Sequence, residues 1–325
     1  MLSLTRIRRA VKRSPTLRNI YFRARRVQHR ARLRSARLRG SLEKGGQTTG
    51  VNPVNLVWIF CTARSGSTWL RSMLDDLVDG EVWEEPKVGR LFGEFYARAK
   101  PTQLGRTNYV LGDPTREAWT GALRDFVLRT AWASHPSVTP ERYLIVKEPG
   151  GAVGAPLLMA ALPESRMVLL VRDPRDFAAS VLDATRKDGW MQEGMDGWAR
   201  RDLGSEKDVQ RYLRALSRQY VRQITNGKKA FDAHEGPKML LRYDRLRTDT
   251  LGAMRDLCVA LGLPVDEKRL AEVVDKHSWE NIPERERGEG KFYRKATSEG
   301  WREDLTPEQA KIIEDITAPL IEELS

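Results

Sequence analysis

Four short apolar runs, each followed by a turn and a stretch that can form a helix, constrain the fold more than any other feature of the chain. The first is Leu56–Cys61, and the others are 143–146, 167–171 and 239–243. Short, continuously apolar runs are typical of strands buried on both faces of a sheet. Strands that alternate with helices predict a parallel sheet covered by helices on both sides. We therefore expect a three-layer α/β domain with a central parallel sheet.

Helical periodicity and turn residues also predict where the covering helices lie. The apolar fraction of the chain is 40%, which is ordinary for a globular protein. No internal repeat is present. The predicted helices lie near 67–78, 152–161, 174–185, 205–234, 248–261 and 306–324.

The positive charge of the chain is concentrated at its N-terminus. The net charge is +12, but residues 1–40 contain 14 arginines and lysines and no acid, so the other 285 residues sum to −2. A basic segment with loosely helical apolar spacing can be a solvated or docked tail, lie on anionic lipid, or contact a nucleic-acid backbone. Of these three interpretations, a solvated or docked tail is the most favoured, and contact with lipid is favoured over contact with nucleic acid. We expect 1–40 to be a basic helical arm and 41–53 a linker.

Several features limit the classes of function and location. Cys61 and Cys258 lie far apart in sequence, and neither the cysteines nor the four histidines have the spacing of metal ligands. We read both cysteines as buried thiols in a reducing compartment. No apolar stretch reaches the length of about 18–20 residues that spans a bilayer, and no secretory signal is apparent at the N-terminus. We expect a cytoplasmic protein, peripheral at a membrane at most, that uses no metal.

A turn of small and polar residues, 62–68, joins the first predicted strand to the first predicted helix. A helix N-terminus carries a partial positive charge and unpaired N–H donors, and it therefore attracts oxyanions. Gly66 allows the backbone to approach a ligand closely, and Ser67 and Thr68 add hydroxyl donors. The planar guanidinium of Arg64 suits the oxygens of such a group. The turn is a candidate anion site, although similar turns also occur in α/β proteins for packing reasons alone.

The competing interpretation of this turn is the P-loop of a nucleotide kinase, which binds ATP with magnesium. That motif requires a lysine directly after its last glycine. Here Ser67 follows Gly66. The strand at 167–171 leads into Arg172, a cation that is unfavourable beside a magnesium site. The turn therefore favours a phosphate-like group that is bound without a metal.

The segment 60–70 resembles the 5′-phosphosulfate loop of the sulfotransferases that use 3′-phosphoadenosine 5′-phosphosulfate (PAPS) as donor. Cytosolic members have lysine where Arg64 stands, whereas carbohydrate and tyrosylprotein members commonly have arginine. The resemblance implies a P-loop-like sulfotransferase fold over 54–325 and release of 3′-phosphoadenosine 5′-phosphate (PAP). It implies that Arg64 contacts the sulfuryl group and that Trp69 packs against the adenine. The residues it implies for the 5′-phosphate are Ser65, Gly66, Ser67 and Thr68.

Two further segments resemble the family's sites for the rest of the donor. In 171–180, Arg172 ends a predicted strand and Ser180 follows eight residues later, which is the family's spacing for the pair that binds the 3′-phosphate. The segment 242–264 resembles a family stretch that begins Tyr-Glu-Asp-Leu and ends Leu-Gly-Leu-Pro. This resemblance implies that Tyr243 contacts the adenine edge. The alternatives are a salt bridge from Arg172 to a neighbouring aspartate and a core position for Tyr243.

The segment 292–301 resembles the family's Arg-Lys-Gly … Gly-Asp-Trp lid. The resemblance implies that Arg294 and Lys295 close on the 3′-phosphate. Ala296 replaces a frequent glycine, and 299–300 reads Glu-Gly in place of Gly-Asp, so the loop departs from the family pattern. Four segments in the family's order, each where the α/β pattern requires it, are difficult to explain by chance.

The family's chemistry is an in-line transfer that depends mainly on positioning and charge stabilisation, with a general base for the acceptor. Cytosolic members use a histidine after the second strand, where this chain has Lys147 and Glu148. In tyrosylprotein members the base is the second glutamate of a pair, twenty-one residues after the loop arginine, and Glu85 has that spacing from Arg64. Glu85 is therefore the predicted base and Glu148 the second candidate, while Lys147 is predicted to stabilise the transition state. The alternative for Glu85 is an exposed acidic turn before Pro86.

The acceptor and the oligomeric state are left open by the sequence. Segments 86–140 and 186–235, where family members vary, contain many aromatic residues that suit either ligand stacking or core packing. A hydroxyl acceptor on a carbohydrate or glycolipid is the expectation, because Arg64 and Glu85 resemble that branch of the family; an amine is less favoured. A kinase, or a protein that binds nucleic acid or membranes through its basic arm, remains the alternative.

Overall fold

The computed structural model describes residues 50–185, 203–264, 266–288, 295 and 299–324. Within these ranges, parallel strands form one sheet in the order β2-β3-β1-β4-β5, as the alternating sequence pattern predicts. The strands are β1 (Leu56–Cys61), β2 (Gly80–Glu84), β3 (Tyr143–Pro149), β4 (Arg166–Val171) and β5 (Lys238–Arg242).

Strand β1 lies at the centre of the sheet and is buried along its whole length. Its side chains alternate between the two faces, as strand geometry requires. Trp58 and Phe60 pack into one core cluster, whereas Ile59 and Cys61 pack into the other. A continuous apolar run is therefore needed here, because both faces of the strand are covered.

Helices cover both faces of the sheet and complete a three-layer α/β fold. One face packs against α4, α5, α6, α7 and α12, and the other packs against α1, α8, α9 and α10. The helices are α1 (Ser67–Leu77), α2 (Val88–Ala97), α3 (Pro101–Leu104), α4 (Arg116–Ser134), α5 (Ala155–Ala161), α6 (Pro174–Thr185), α7 (Glu206–Ala233), α8 (Tyr243–Thr248), α9 (Thr250–Leu261), α10 (Glu267–Lys276), α11 (Trp301–Asp304) and α12 (Pro307–Leu324).

Two local features differ from the sequence prediction. The edge strand β2 was not predicted, because it is only partly buried and carries a glutamate at each end of its Glu-Val-Trp-Glu stretch. The helix predicted near 248–261 is α9 (Thr250–Leu261), but the short helix α8 (Tyr243–Thr248) that precedes it was not predicted. Asp249 separates α8 from α9, and its carboxylate accepts a hydrogen bond from the N–H of Gly252 at 3.0 Å, which caps the start of α9.

The predicted basic arm and the predicted linker up to residue 49 lie outside the described residues. Val51, which falls in the predicted linker, is 2% exposed and packs into the core. Among the described residues, no helix has the length and apolar character needed to cross a bilayer.

Candidate active site

The turn between β1 and α1 is closely packed against the aromatic ring of Tyr243. Gly66 has a φ of 86° and stands directly before α1, in the left-handed region that favours glycine. A β-carbon at Gly66 would lie 2.6 Å from Cδ2 of Tyr243. The hydroxyl of Ser65 donates to the carbonyl of Thr62 at 2.8 Å. The turn is thus held in place by the ring of Tyr243, which packs against Gly66, and by the hydrogen bond between Ser65 and Thr62.

The loop arginine is connected directly to the segment predicted to bind the 3′-phosphate. Nε of Arg64 donates to the hydroxyl of Ser180 at 3.1 Å, and the guanidinium of Arg172 donates to the carbonyl of Arg64 at 2.8 Å. The Arg172 guanidinium also lies 4.4 Å above the ring of Tyr243. The structure therefore brings Arg64, Arg172, Ser180 and Tyr243 together at one end of the sheet.

The contacts in this cluster bear on the alternatives for Tyr243, a core position, and for Arg172, a salt bridge to a neighbouring aspartate. Tyr243 is 8% exposed and supports both the loop and a cation, so its core position and its place beside the loop are compatible. Arg172 is also 8% exposed, and within the described residues its Nε has no hydrogen-bond partner. Asp173, one of the expected salt-bridge partners of Arg172, instead pairs with Arg175 at 2.7 Å.

Lys147 connects the anion loop to the predicted carboxylate pair. It is 4% exposed, and its Nζ lies 3.1 Å from the hydroxyl of Thr68 at the start of α1. The same ammonium lies 2.5 Å from Glu84 and 3.1 Å from Glu85. The parallel register of β2 and β3 produces this arrangement, because it sets Glu84 beside Lys147. A single buried cation therefore faces both halves of the candidate site.

Glu84 and Glu85 differ in the contacts that they make besides the ion pair with Lys147. Glu84 has a second cationic partner, Arg71 on α1, at 3.2 Å. Glu85 has 43% of its side chain exposed, and its backbone N–H donates to the carbonyl of Lys147 at 2.9 Å. Sequence reasoning did not identify Arg71, and only the pairing of α1 with the unpredicted strand β2 reveals its role.

Backbone strain is concentrated around the site. Arg64, Glu85 and Lys87 have φ values of 62°, 50° and 63°, in the left-handed region that non-glycine residues rarely adopt. Each such residue costs about 1–3 kcal/mol and persists only where its surroundings fix it, most often at functional sites. Three of the four such residues in the described part of the chain lie in or next to the loop and the carboxylate pair, and the fourth is Glu299, with a φ of 61°.

Glu148 is the most deeply buried acid near the site. It is 1% exposed, and burial raises the pKa of its carboxyl to about 8. The backbone N–H groups of Lys87 and Val88 hydrogen-bond to this carboxyl, so Glu148 caps the start of α2 from a neighbouring strand. Within the described residues, its Oε2 has no hydrogen-bond partner.

The remaining predicted residues are less closely connected to the loop. Trp69 packs against the core, and its indole N–H donates to the carbonyl of His277 at 2.8 Å. Lys295 lies 3.0 Å from both Glu303 and Asp304. Arg294 lies outside the described residues.

The anchor of the predicted lid segment is a residue that sequence reasoning assigned differently. The buried carboxylate of Asp176 accepts the backbone N–H groups of Glu299 at 2.9 Å and Trp301 at 3.0 Å. It therefore ties the end of the lid segment to α6, the helix that carries Ser180. An expected contact with Arg172 concealed this role, and no local sequence signal distinguishes the two.

The arrangement suits transfer of a charged group. An oxyanion at the start of α1 would meet N–H donors, the Thr68 hydroxyl and the Lys147 ammonium, and a carboxylate pair lies on the other side of that ammonium. Among the described residues, no cluster of histidine, cysteine, aspartate or glutamate could hold a metal ion. Fold and site together define an α/β group-transfer enzyme with an anion-binding loop at a strand–helix junction.

Comparison with known proteins identifies the family. The profile of the sulfotransferase domain matches residues 55–325, so the chain belongs to the sulfotransferase family. This confirms the family predicted from the loop and the three segments that follow it. No curated protein sequence matched the chain.

Solved structures confirm the predicted P-loop-like sulfotransferase fold. Mouse sulfotransferase SULT7A1 complexed with PAP is 13% identical, with 83% of this chain and 84% of that chain covered and a TM-score of 0.51. Sulfotransferase STF9 from Mycobacterium avium is 14% identical, with 83% and 76% covered and a TM-score of 0.50. At these identities the similarity concerns the fold alone.

Proposed function

We propose that this chain transfers the sulfuryl group of PAPS to a hydroxyl acceptor. The bond from sulfur to the bridging oxygen of the donor breaks, a bond from sulfur to the acceptor oxygen forms, the acceptor proton passes to a carboxylate, and PAP leaves. The observation that carries the proposal is the position of Lys147, between Thr68 of the anion loop and the carboxylate of Glu85. Family membership and the PAP complex of the mouse relative support PAPS as the donor.

The proposed donor site extends along the carboxyl ends of β1 and β4. Arg64 contacts the sulfuryl group, and Ser65 to Thr68 bind the 5′-phosphate through the start of α1. Arg172 and Ser180 bind the 3′-phosphate, together with Arg294 and Lys295 of the lid segment. The hydrogen bonds that join Arg64 to both Arg172 and Ser180 support one continuous site. The proposed contacts of the adenine are made by Trp69 and Tyr243.

Glu85 is the proposed general base. Its partly exposed carboxylate can be reached by an acceptor, and the ion pair with Lys147 orients it. Glu148 is less suited to this role. Its raised pKa leaves it protonated at neutral pH, and its side chain is buried against the start of α2. We assign it instead to holding the strained turn at Lys87 in place.

For the acceptor, the proposal extends only to its chemical class. A carbohydrate or glycolipid acceptor is proposed from the likeness of Arg64 and Glu85 to that branch of the family. The proposed organisation is a basic arm at 1–40, a linker at 41–53 and a catalytic domain at 54–325, with the arm in peripheral contact with a membrane. Cys61 and Cys258 are free and buried, which supports a cytoplasmic location.

Ligand-induced stabilisation tests the proposal against its two rivals. A ligand that binds the folded state raises the melting temperature by an amount set by its concentration relative to Kd. We expect PAP to raise the melting temperature of the full chain, with no comparable rise for ATP–magnesium or for duplex DNA. A rise with ATP–magnesium alone would identify a nucleotide kinase, and a rise with DNA alone would identify a nucleic-acid-binding protein. An acceptor panel with radiolabelled PAPS then tests transfer itself.

A further inference from the structure

An apolar patch is exposed on helix α2 and the segments beside it. Leu91, Phe95, Val110 and Phe126 are 60%, 51%, 67% and 42% exposed, and they account for four of the six most exposed large apolar side chains among the described residues. Isolated exposed apolar residues are common, but a cluster indicates a binding surface. We call these four residues, together with Tyr109, the α2 patch.

Ring contacts connect the members of the α2 patch. Phe95 stacks on Tyr109 with ring centroids 6.1 Å apart, and Val110 directly follows Tyr109. On the other side, Phe126 of α4 contacts Phe92 of α2 with centroids 5.4 Å apart. These contacts pack Tyr109 and Phe126 against α2, so the exposed residues of the patch lie on α2 and on the two segments that pack beside it.

The opposite face of α2 is already packed tightly against the domain. A β-carbon at Gly89 would lie 2.4 Å from the carbonyl oxygen of Gly151, and one at Gly93 would lie 2.5 Å from the backbone nitrogen of Gly154. Backbone contact this close fixes the orientation of the helix. The glycine face of α2 therefore packs against the domain, whereas Leu91 and Phe95 of the same helix are exposed to solvent.

The charge around the α2 patch indicates the chemistry of that occupant. The segment 86–112, which carries four of the five patch residues, contains five cations and one acid, and α4, which carries the fifth, contains three cations and two acids. The acid of the segment, Glu94, is already paired with Arg222 of α7. The chain's own basic arm, with 14 cations and no acid in residues 1–40, is repelled by this surface and is therefore a poor candidate. The cations of the segment are Lys87, Arg90, Arg98, Lys100 and Arg106.

We propose that the α2 patch docks on the surface of an anionic lipid bilayer. Leu91 and Phe95 enter the headgroup boundary, and the surrounding arginines and lysines meet lipid phosphates and carboxylates. Helix α2 begins three residues after Glu85, so docking brings the bilayer close to the carboxylates of the site. This surface is distinct from the basic arm, and its binding requires neither donor nor acceptor.

Vesicle binding by the full chain tests the proposal. The assay compares neutral phosphatidylcholine vesicles with vesicles that contain phosphatidylserine. It is run in 0.15 M NaCl, where the cations around the patch still attract anionic lipid, and the basic arm is the same in every protein compared. We expect wild type to partition onto the anionic vesicles and the double variant Leu91→Ser/Phe95→Ser to lose at least ten-fold in partition coefficient. Equal partition of wild type and the double variant would overturn the proposal.

The chain provides a matched control for that loss. Val259 on α9 is 77% exposed and lies outside the patch, so Val259→Ser removes an apolar group that is even more exposed than Leu91 or Phe95 and leaves the patch intact. Because all three side chains are exposed, the substitutions are expected to leave the melting temperature almost unchanged, and this is measured in parallel. A loss of partition in Val259→Ser equal to that of the double variant would contradict a specific surface.

Fluorescence distinguishes lipid from other occupants. Both native cysteines are buried, so Leu91→Cys and Val259→Cys can be labelled selectively with a polarity-sensitive dye. We expect anionic vesicles to shift the emission of the label at 91 to the blue and to leave the label at 259 unchanged. A blue shift at 91 that depends on protein concentration without vesicles would assign the patch to a second copy of the chain and reject the lipid surface.

Discussion

The two sides of the site are built in different ways. On the proposed donor side, Ser65, Arg172 and Ser180 are buried, and hydrogen bonds of 2.8–3.1 Å join each of them to the loop that ends in the left-handed turn at Gly66. On the acceptor side, the carboxylate of Glu85 is partly exposed, and the neighbouring helix presents the apolar α2 patch to solvent. A fixed site suits a ligand that never changes, whereas an open one allows acceptors to differ among relatives that share the fold.

The largest expected effect comes from removing the proposed base on the acceptor side. Glu85→Gln is expected to lower turnover by about 10²–10⁴-fold, because the acceptor proton then has no carboxylate to receive it. The PAP-induced rise in melting temperature should be unchanged, since the donor side is intact. Turnover is measured with radiolabelled PAPS, and near-normal turnover would remove Glu85 from the role.

Glu84→Gln is the matched control for this variant. Glu84 contacts the same ammonium of Lys147 but is also paired with Arg71, so its role is in the packing of β2 against α1. We expect a much smaller loss of turnover than in Glu85→Gln. If the two variants lost activity equally, the pair would act as one unit and the distinction between them would be wrong.

The next largest effect should arise from disturbing the rigid donor turn. Gly66→Ala places a β-carbon in the left-handed region and 2.6 Å from the ring of Tyr243. We expect PAP affinity to fall about 100-fold and the free energy of unfolding to fall by about 1–3 kcal/mol. PAP titration and thermal unfolding measure the two effects.

Gly262 allows backbone strain to be separated from the steric clash. Its φ is 60°, but a β-carbon there would have nothing within 4 Å. Gly262→Ala should therefore cost about 1 kcal/mol of stability through backbone strain alone and leave PAP affinity unchanged. A loss of PAP affinity in this variant as large as that in Gly66→Ala would show that general destabilisation, rather than the loop, controls donor binding.

A smaller effect is expected from one hydrogen bond in the donor cluster. Ser180→Ala removes the acceptor for Nε of Arg64 and a proposed phosphate contact, so PAP affinity should fall about five- to ten-fold. Ser217, an equally buried serine on α7, has no partner for its hydroxyl within the described residues and is the control. Calorimetric titration with PAP measures both variants. An unchanged Kd in Ser180→Ala would place the 3′-phosphate elsewhere.

The smallest effect concerns stability at the border between the two sides. Burial raises the pKa of Glu148 to about 8 from its usual 4.5, so the folded chain retains a proton that the unfolded chain has lost between these values. This group's contribution to stability is present below pH 4.5 and is lost as the pH rises through 8. Glu148→Gln keeps an acceptor for the start of α2 and removes the titration.

The melting temperatures of Glu148→Gln and wild type, measured from pH 5 to pH 8.5, test this contribution. The advantage of the variant over wild type should grow steadily as the pH rises. Parallel curves across the range would mean that Glu148 ionises in the folded state as easily as in the unfolded chain, and its assignment as a buried neutral cap would be wrong.

The sequence predicted the local structure around the loop 62–68 better than the contacts around the carboxylate pair, for physical reasons. The apolar run of β1 and the turn at Gly66 are local features, so the strand, the turn and the helix that follows were recognisable from adjacent residues. Contacts such as Lys147 with Glu84 depend on the pairing of β2 with β3, which joins residues far apart in sequence. Because β2 is short and polar, no local pattern identified it.

The protonation state of Glu148 was also beyond local prediction. Its sequence neighbours give no indication that the side chain is buried under the start of α2, close to Gly151. The contacts of Asp176 with the lid segment are similarly non-local, since they join residues more than 120 positions apart. The spacing of Arg172 and Ser180 was visible in sequence, whereas their shared connection through Arg64 was not.

The shared ammonium of Lys147 has a consequence for mutagenesis. The same buried cation contacts the Thr68 hydroxyl on one side and the carboxylates of Glu84 and Glu85 on the other. Removing it would take an ammonium away from the loop and would also remove the cation that the two carboxylates share. The effect of a substitution at Lys147 therefore cannot be assigned to one half of the site, whereas the effects of substitutions at Glu85 and Ser180 can.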